Sequence, residues 1–478
     1  MRTIKQTKKS KKEIMKYSAN KIYLYLAVLV IIAQASCKKE IFTNANNNPN
    51  SPKTVVPANI LPGVEADLAY TQGGDIARYT SMLTQQDVGF SRQSAAYYTY
   101  IFTSVDFDTP WGNFFTSVLG NNADLVHKSD SLGYNVYSGI ARVIQAYTLQ
   151  LLVDEWGDVP YSEALKGDAQ HHPAYDNAQA LYDTIVNLLD VAITQFNNSD
   201  PGGNTPGTDD LIYGKYIDPN DYYNSFVTRW IKFAHAIKAR IYIHQSKGNA
   251  AMASKALDEA NMSFEDASES AQLVFGTSQT FANPIYQFNA QRSDIDYGSG
   301  YLPNLLTTWN DPRVGLTFDP TYSDDFADGI APYYGAINGH VEFITYDEIE
   351  FLKAEAILRS TGDYATAQTH YQNGIRADMQ KLGIADSTID QYITANGTLP
   401  TTSVNDAIAA VAVQEYIALY QNPEAWILWR RTGSPDLTPT AGTNGIPRRF
   451  LYPQTEISLN GENVPQATLF SPKIFWDK

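Results

Sequence analysis

The chain has 478 residues, 44% of them hydrophobic and 18% charged, with 32 Tyr, 20 Phe and 7 Trp. That apolar share is ample for a buried core and excludes global disorder; at ~100–200 residues per domain, the length allows one large domain or up to three or four. Formal charge is −16, and residues 1–36 hold eight basic residues against one acidic, so the remainder is more acidic still. Such a surface repels phosphate backbones and argues against a nucleic-acid partner. A single cysteine rules out a disulfide within the chain and a Cys-rich metal framework.

The first segment reads as an address. Lys5 to Lys21 form a basic region, and Ile22 to Ala33 is an apolar run too short to cross ~30 Å of hydrocarbon comfortably. Ala35, Ser36 and then Cys37 follow. This arrangement resembles a bacterial lipoprotein signal, in which the cysteine becomes the acylated mature N-terminus. Gln34 departs from the apolar residue usual in that pattern, and a plain secretory signal cut near Ser36 is the alternative. Met15 is an alternative start to Met1. Residues 37–58, rich in Asn and Pro, read as a flexible tether roughly a few tens of ångströms long. The remainder, 59–478, is expected to form one domain.

Helical periodicity predicts helices over 138–156 and 177–196, 223–246 and 249–262, 346–361 and 363–381, and 404–421 with 423–431. Gly362, Tyr364, Ala367, Tyr371 and Gly374 fit G-x-Y-x-x-A-x-x-x-Y-x-x-G, and Gly248, Ala250, Ala253, Leu257 and Ala260 repeat the offsets. This spacing resembles the tetratricopeptide pattern, with ordinary helical hairpins as the alternative. Two long stretches, 85–120 and 263–345, are poor helix formers loaded with aromatics, and loops of that length are usually functional.

Catalytic signatures are scarce. There is no H-E-x-x-H, no G-x-S-x-G and no true P-loop, and the adjacent His171-His172 reads as a solvated loop rather than a metal site. Asp154-Glu155, Asp209-Asp210 and Asp324-Asp325 are the carboxylate pairs a glycosidase would need, but acidic chains produce such neighbours freely. Loop aromatics stand out instead, because flat rings pack on the C–H faces of sugars. Tyr97, Tyr98, Tyr301 and Trp309 are the expected platform residues, with core filling as the other role open to each ring. Trp111 is expected to anchor the helical stretch behind it.

An ordered series of motifs points to a family. Leu152 to Tyr161 (LVDEWGDVPY), Asn310-Asp311-Pro312-Arg313, Tyr346-Asp347-Glu348 leading to Lys353-Ala354-Glu355-Ala356, Trp429 to Gly433 (WRRTG) and Ile446 to Pro453 (IPRRFLYP), then Glu456 and Asn460, resemble the SusD/RagB-type outer-membrane nutrient-binding lipoproteins. The resemblance implies an all-α body of tetratricopeptide-like helix pairs supporting an irregular loop-rich face. It also implies a lipid-anchored binder, not an enzyme, at the cell surface of the outer membrane. Such proteins need no cofactor or metal and hand glycan to a SusC-like, TonB-dependent β-barrel transporter. Some members take peptides, which leaves a RagB-type peptide binder as the alternative; a secreted glycoside hydrolase and a ligand-free helical scaffold are the remaining ones. Arg430, Arg431, Arg448 and Arg449 are expected to pair with carboxylates.

Overall fold

The computed structural model describes residues 55–166, 170–198, 200, 204–318, 329–442 and 444–478. The signal segment 1–36, Cys37 and nearly all of the expected tether 37–58 lie outside the described residues, and Val56–Lys478 is one compact unit.

The principal helices in chain order are α1 (Pro57–Thr71), α2 (Ala77–Leu83), α3 (Arg92–Tyr98), α4 (Asn121–Leu132), α5 (Asn135–Trp156), α6 (Ala178–Phe196), α7 (Thr228–His244) and α8 (Ala250–Asn261). They continue with α9 (Pro284–Gln291), α10 (Tyr301–Thr308), α11 (Tyr346–Ser360), α12 (Tyr364–Lys381), α13 (Asp386–Asn396), α14 (Val404–Ala418) and α15 (Glu424–Thr432). Strands are confined to antiparallel pairs: β1 (Val88–Gly89) with β5 (Ile295–Asp296), β2 (Val159–Pro160) with β3 (Tyr175–Asp176), and β4 (Ala271–Val274) with β6 (His340–Ile344). In the longest pair Leu273 faces Val341. The architecture is therefore all-α in substance.

All four expected helix pairs are present. In the second, 223–246 divides into a π-turn (Tyr223–Val227) and α7. Asn177, Asn249 and Asp363 cap α6, α8 and α12 by accepting from backbone N–H groups of the first turn. The tetratricopeptide-like spacing has a physical basis here. Gly248 and Gly362 turn between paired helices with φ of +71° and +68°. A Cβ on Gly374 would lie 2.7 Å from the Phe351 ring, so only glycine lets α12 press against α11. Ala253 and Ala367 are fully buried at the corresponding close approaches. Helix α8 packs on α11 and α11 on α14, so pairs separated by long insertions stack as neighbours. The segments 85–120 and 263–345 are less irregular than expected, holding α3, α9, α10, short strands and a π-turn (Asn113–Gly120).

Buried charge ties these layers together. Arg240 on α7 donates from Nε and Nη2 to Glu348 on α11 at 2.7 and 2.6 Å, and its Nε lies 3.4 Å from Glu424 on α15. His244, one turn on, holds Glu424 through Nε2 at 2.8 Å and lies 3.5 Å from Asp154 on α5. Tyr182 on α6 donates to Asp154, and Trp476 donates its indole N–H to the same carboxylate at 2.8 Å. Burial alone would lower the His244 pKa, but the Glu424 and Asp154 carboxylates outweigh it and hold the imidazole up to about 9.

The sign of the resulting pH dependence follows. A histidine raised from 6.5 to about 9 contributes stability that is complete below about pH 6.5 and lost as the pH climbs through about 9. Burial raises Glu348 from 4.5 to about 7, which acts in the same direction but over that lower window. Urea midpoints of the protein are expected to fall between pH 6.5 and 9, and His244→Gln to flatten that slope; an unchanged slope in the variant excludes His244 as its source.

Candidate functional site

A polar cleft forms where two π-turns come close together. Helix α1 runs into a π-turn (Gln72–Ile76) before α2 resumes, and Gly74 inside it has non-helical φ/ψ of −93° and −107°. A Cβ on Gly73 would lie 2.4 Å from the Val341 side chain, so only glycine brings this turn against β6. Turns of this kind inside helices recur at functional sites. The turn presents Gly74 and Asp75, α2 adds Arg78, the second π-turn adds Asn113, and α9 adds Gln287, Phe288 and Gln291 around about 300 Å³.

Arg78 organises the cleft. Its Nη2 donates to Asp75 at 2.5 Å and its guanidinium lies 4.2 Å from the Phe288 ring centre, a cation–π arrangement. Nε and Nη1 have no partner among the described residues. Gln287 spends its amide N–H groups on the Tyr70 hydroxyl and on the carbonyls of Gln279 and Ala282. The side-chain amides of Asn113 and Gln291 are exposed and uncommitted among the described residues. The lining thus offers amides, a phenol, an aromatic ring and one internally neutralised ion pair. Among the described residues Asp75 is its only carboxylate.

The expected platform residues occupy three settings. Tyr97 is 4% exposed, stacks on Phe102 with ring centres 4.7 Å apart, and donates its hydroxyl to Asp106 at 2.6 Å. It fills the core behind Arg78, whose charge it is close enough to influence. Tyr98 and Tyr301 are half-buried and come together around the buried Tyr416, whose ionisation both affect. Segment 434–442 covers this region, with Thr440 donating to the Tyr98 carbonyl and to the Tyr100 hydroxyl. Trp309 caps the far end of α10, about 12 Å of helix from Tyr301 at 1.5 Å per residue. It is 38% exposed, on the rim of a different cleft.

Residues 49–453 match the SusD-like_2 family, described as starch-binding and associating with the outer membrane. The chain belongs to the SusD-like family. None of the curated proteins matches it. Among solved structures, a SusD/RagB family protein from Bacteroides thetaiotaomicron is similar to 89% of this chain over 99% of its own, with TM-score 0.70 and 22% identity. A chitin-binding SusD homologue from Flavobacterium johnsoniae is similar over 88% and 94%, with TM-score 0.66 and 19% identity. An outer-membrane, nutrient-binding candidate from Bacteroides vulgatus is similar over 89% and 100%, with TM-score 0.69 and 21% identity.

In this SusD-like protein the sequence motifs are architectural. Trp156 donates its indole N–H to the Leu451 carbonyl, and Gly157, at φ +86°, ends α5. Trp111 is buried edge-on against Trp156. Arg431 pairs with Glu355 and Arg448 with Asp477, as expected. Arg430 and Arg449 do otherwise: Arg430 lies over the Trp426 and Trp476 rings and donates to the carbonyls of Asp154 and Arg448, and Arg449 donates to those of Trp156, Phe450 and Pro472. The reason is local. The carboxylate of Asp154 is already taken by Tyr182, His244 and Trp476, and burial holds the neighbouring Glu155 carboxyl well above the usual carboxylate range, so Arg430 turns to main-chain oxygens. Asp154, Glu155 and Asp210 are buried in the core away from both clefts, and Asp324-Asp325 lies outside the described residues.

Exposure separates the aromatic candidates by what their loss does. Tyr97→Ala is expected to cost about 3–5 kcal/mol of stability, as for other large core aromatics, and Trp309→Ala about 0.5 kcal/mol or less. Denaturant titration of the two variants reads the difference; equal losses exclude this division.

Proposed function

We propose that the protein is a cell-surface lipoprotein that binds oligo- or polysaccharide and delivers it to a SusC-like, TonB-dependent outer-membrane transporter, without cleaving it. One observation carries the ligand class: the cleft around Arg78 is polar yet without net charge, and it combines uncommitted amides with aromatic rings. Amides and guanidinium N–H groups suit the hydroxyls of a neutral sugar, and ring faces suit its C–H surface.

Three further facts support the reading. Hydrolysis of a glycoside by the usual route needs two carboxyl groups flanking the bond, and this cleft has one, already engaged by Arg78. The family description names starch and the outer membrane, and one structural relative binds chitin. Cys37 behind a short apolar run supports a lipid anchor, and among the described residues no helix is long and apolar enough to cross a membrane.

Isothermal titration of the full chain against malto- and chito-oligosaccharides, with oligopeptides in parallel, tests the ligand class. The expected outcome is heat with a glycan, weakened at least about tenfold, or ~1.4 kcal/mol, in Arg78→Gln. Heat with peptides alone transfers the proposal to the RagB-type alternative, and shortened glycan on chromatography after long incubation restores the hydrolase. An unmodified Cys37 thiol by mass spectrometry removes the anchor.

A further inference from the structure

A second cleft, about 340 Å³, lies between α12, α14 and the connection that leaves α13. Its wall on α14 is apolar, formed by Ala409, Ala410 and Val413, and Trp309 stands at its rim. Tyr371 also lines it. This residue occupies the aromatic position of the tetratricopeptide-like spacing and is 3% exposed, yet its hydroxyl has no hydrogen-bond partner among the described residues. Burial pushes that phenol's pKa up, so it stays a neutral donor and acceptor. The ring is buried while the hydroxyl is not among the fully enclosed unpaired atoms of the described residues, so it opens to the cleft, where a ligand hydroxyl can reach it.

The charge near this cleft is spent. Arg313, wholly buried, donates to Asp311 at 2.6 and 2.9 Å, to Asp378 at 2.8 Å and to the Gln414 carbonyl oxygen at 2.7 Å. The Gln414 amide N–H is in turn given to the Tyr392 hydroxyl at 3.1 Å. What faces the space is an exposed indole, a small apolar wall and neutral hydrogen-bonding groups: Tyr371, with Thr398 and Asn396 at the edge. A pyranose ring matches that set, with its C–H face on the indole and a ring hydroxyl meeting the Tyr371 phenol. A charged ligand finds no counter-ion there, and a purely apolar one leaves the phenol unmet.

We propose that this cleft is a second carbohydrate subsite, separate from the one at Arg78, which takes a sugar ring between Trp309 and the Tyr371 hydroxyl. For the ligand class the proposal rests on the glycan reading above; for the location it rests on the cleft itself. Two subsites on one body raise the hold on a polymer beyond that of either alone, since the second capture becomes intramolecular.

Titration of the full chain with maltotriose and N,N′,N″-triacetylchitotriose, each in separate runs, decides it. The sugar that binds is expected to show two sites per chain. Trp309→Ala abolishes one of them, and Tyr371→Phe, with unchanged melting temperature, weakens the same one about tenfold. Arg78→Gln removes the other. One site that Arg78→Gln abolishes and that neither Trp309→Ala nor Tyr371→Phe alters overturns the second subsite while the function stands. One site lost in Trp309→Ala but not in Arg78→Gln supports the subsite and removes the Arg78 cleft. Silence with both sugars overturns it for these chemistries.

Discussion

A buried run of charge, Glu348–Arg240–Glu424–His244–Asp154, is the interaction on which the remaining structure depends. Its members come from α11, α7, α15, α7 again and α5, and Tyr182 and Trp476 add α6 and the C-terminal segment. Apolar packing alone would let these helices slide, because any ridge of methyl groups accepts several registers. Ion pairs that are removed from water and aligned within hydrogen-bond distance accept one. Such pairs are poor sources of net stability, since desolvation offsets much of their attraction, but removing one partner leaves the other uncompensated. Here they fix how pairs of helices far apart in sequence stand against one another.

On that fixed scaffold, both candidate clefts are made by local departures from regular helix. The Arg78 cleft needs the turn at Gly73-Gly74, which delivers Asp75 and sets β6 against the helix; a continuous α-helix through residue 76 would carry Asp75 on a different face. The Trp309 cleft needs the Asn310–Arg313 loop, whose arginine is sunk among α12, α13 and α14 while the tryptophan before it stays at the rim. In each case a buried or paired arginine holds an otherwise irregular segment in place.

The helix pairs were legible in the sequence because burial on one face writes a 3.6-residue period into it, and the glycines and alanines of α8 and α12 mark close approaches that other side chains cannot make. Helix α1 was not, since Pro62 and Gly63 sit inside it and Gly73-Gly74 breaks its continuation. The Arg78 cleft was invisible for a different reason: its groups come from α1, α2, a π-turn and α9, and no spacing connects them. Aromatic density on loops was readable, but not which rings face outward. Tyr97 and Tyr98 are adjacent, and a single helical step sends one into the core and leaves the other half-buried. The arginines of WRRTG and IPRRFLYP illustrate the same limit, because whether an arginine finds a carboxylate or a carbonyl depends on which acids are already occupied and which are held neutral by burial.

The indole of Trp476 reaches Asp154 across 322 positions of chain. Until the last residues of the chain are made, Asp154 therefore has Tyr182, His244 and Gln150 within reach but lacks its indole donor. Contacts so far apart in sequence slow folding, because chain entropy is lost before the contact repays it.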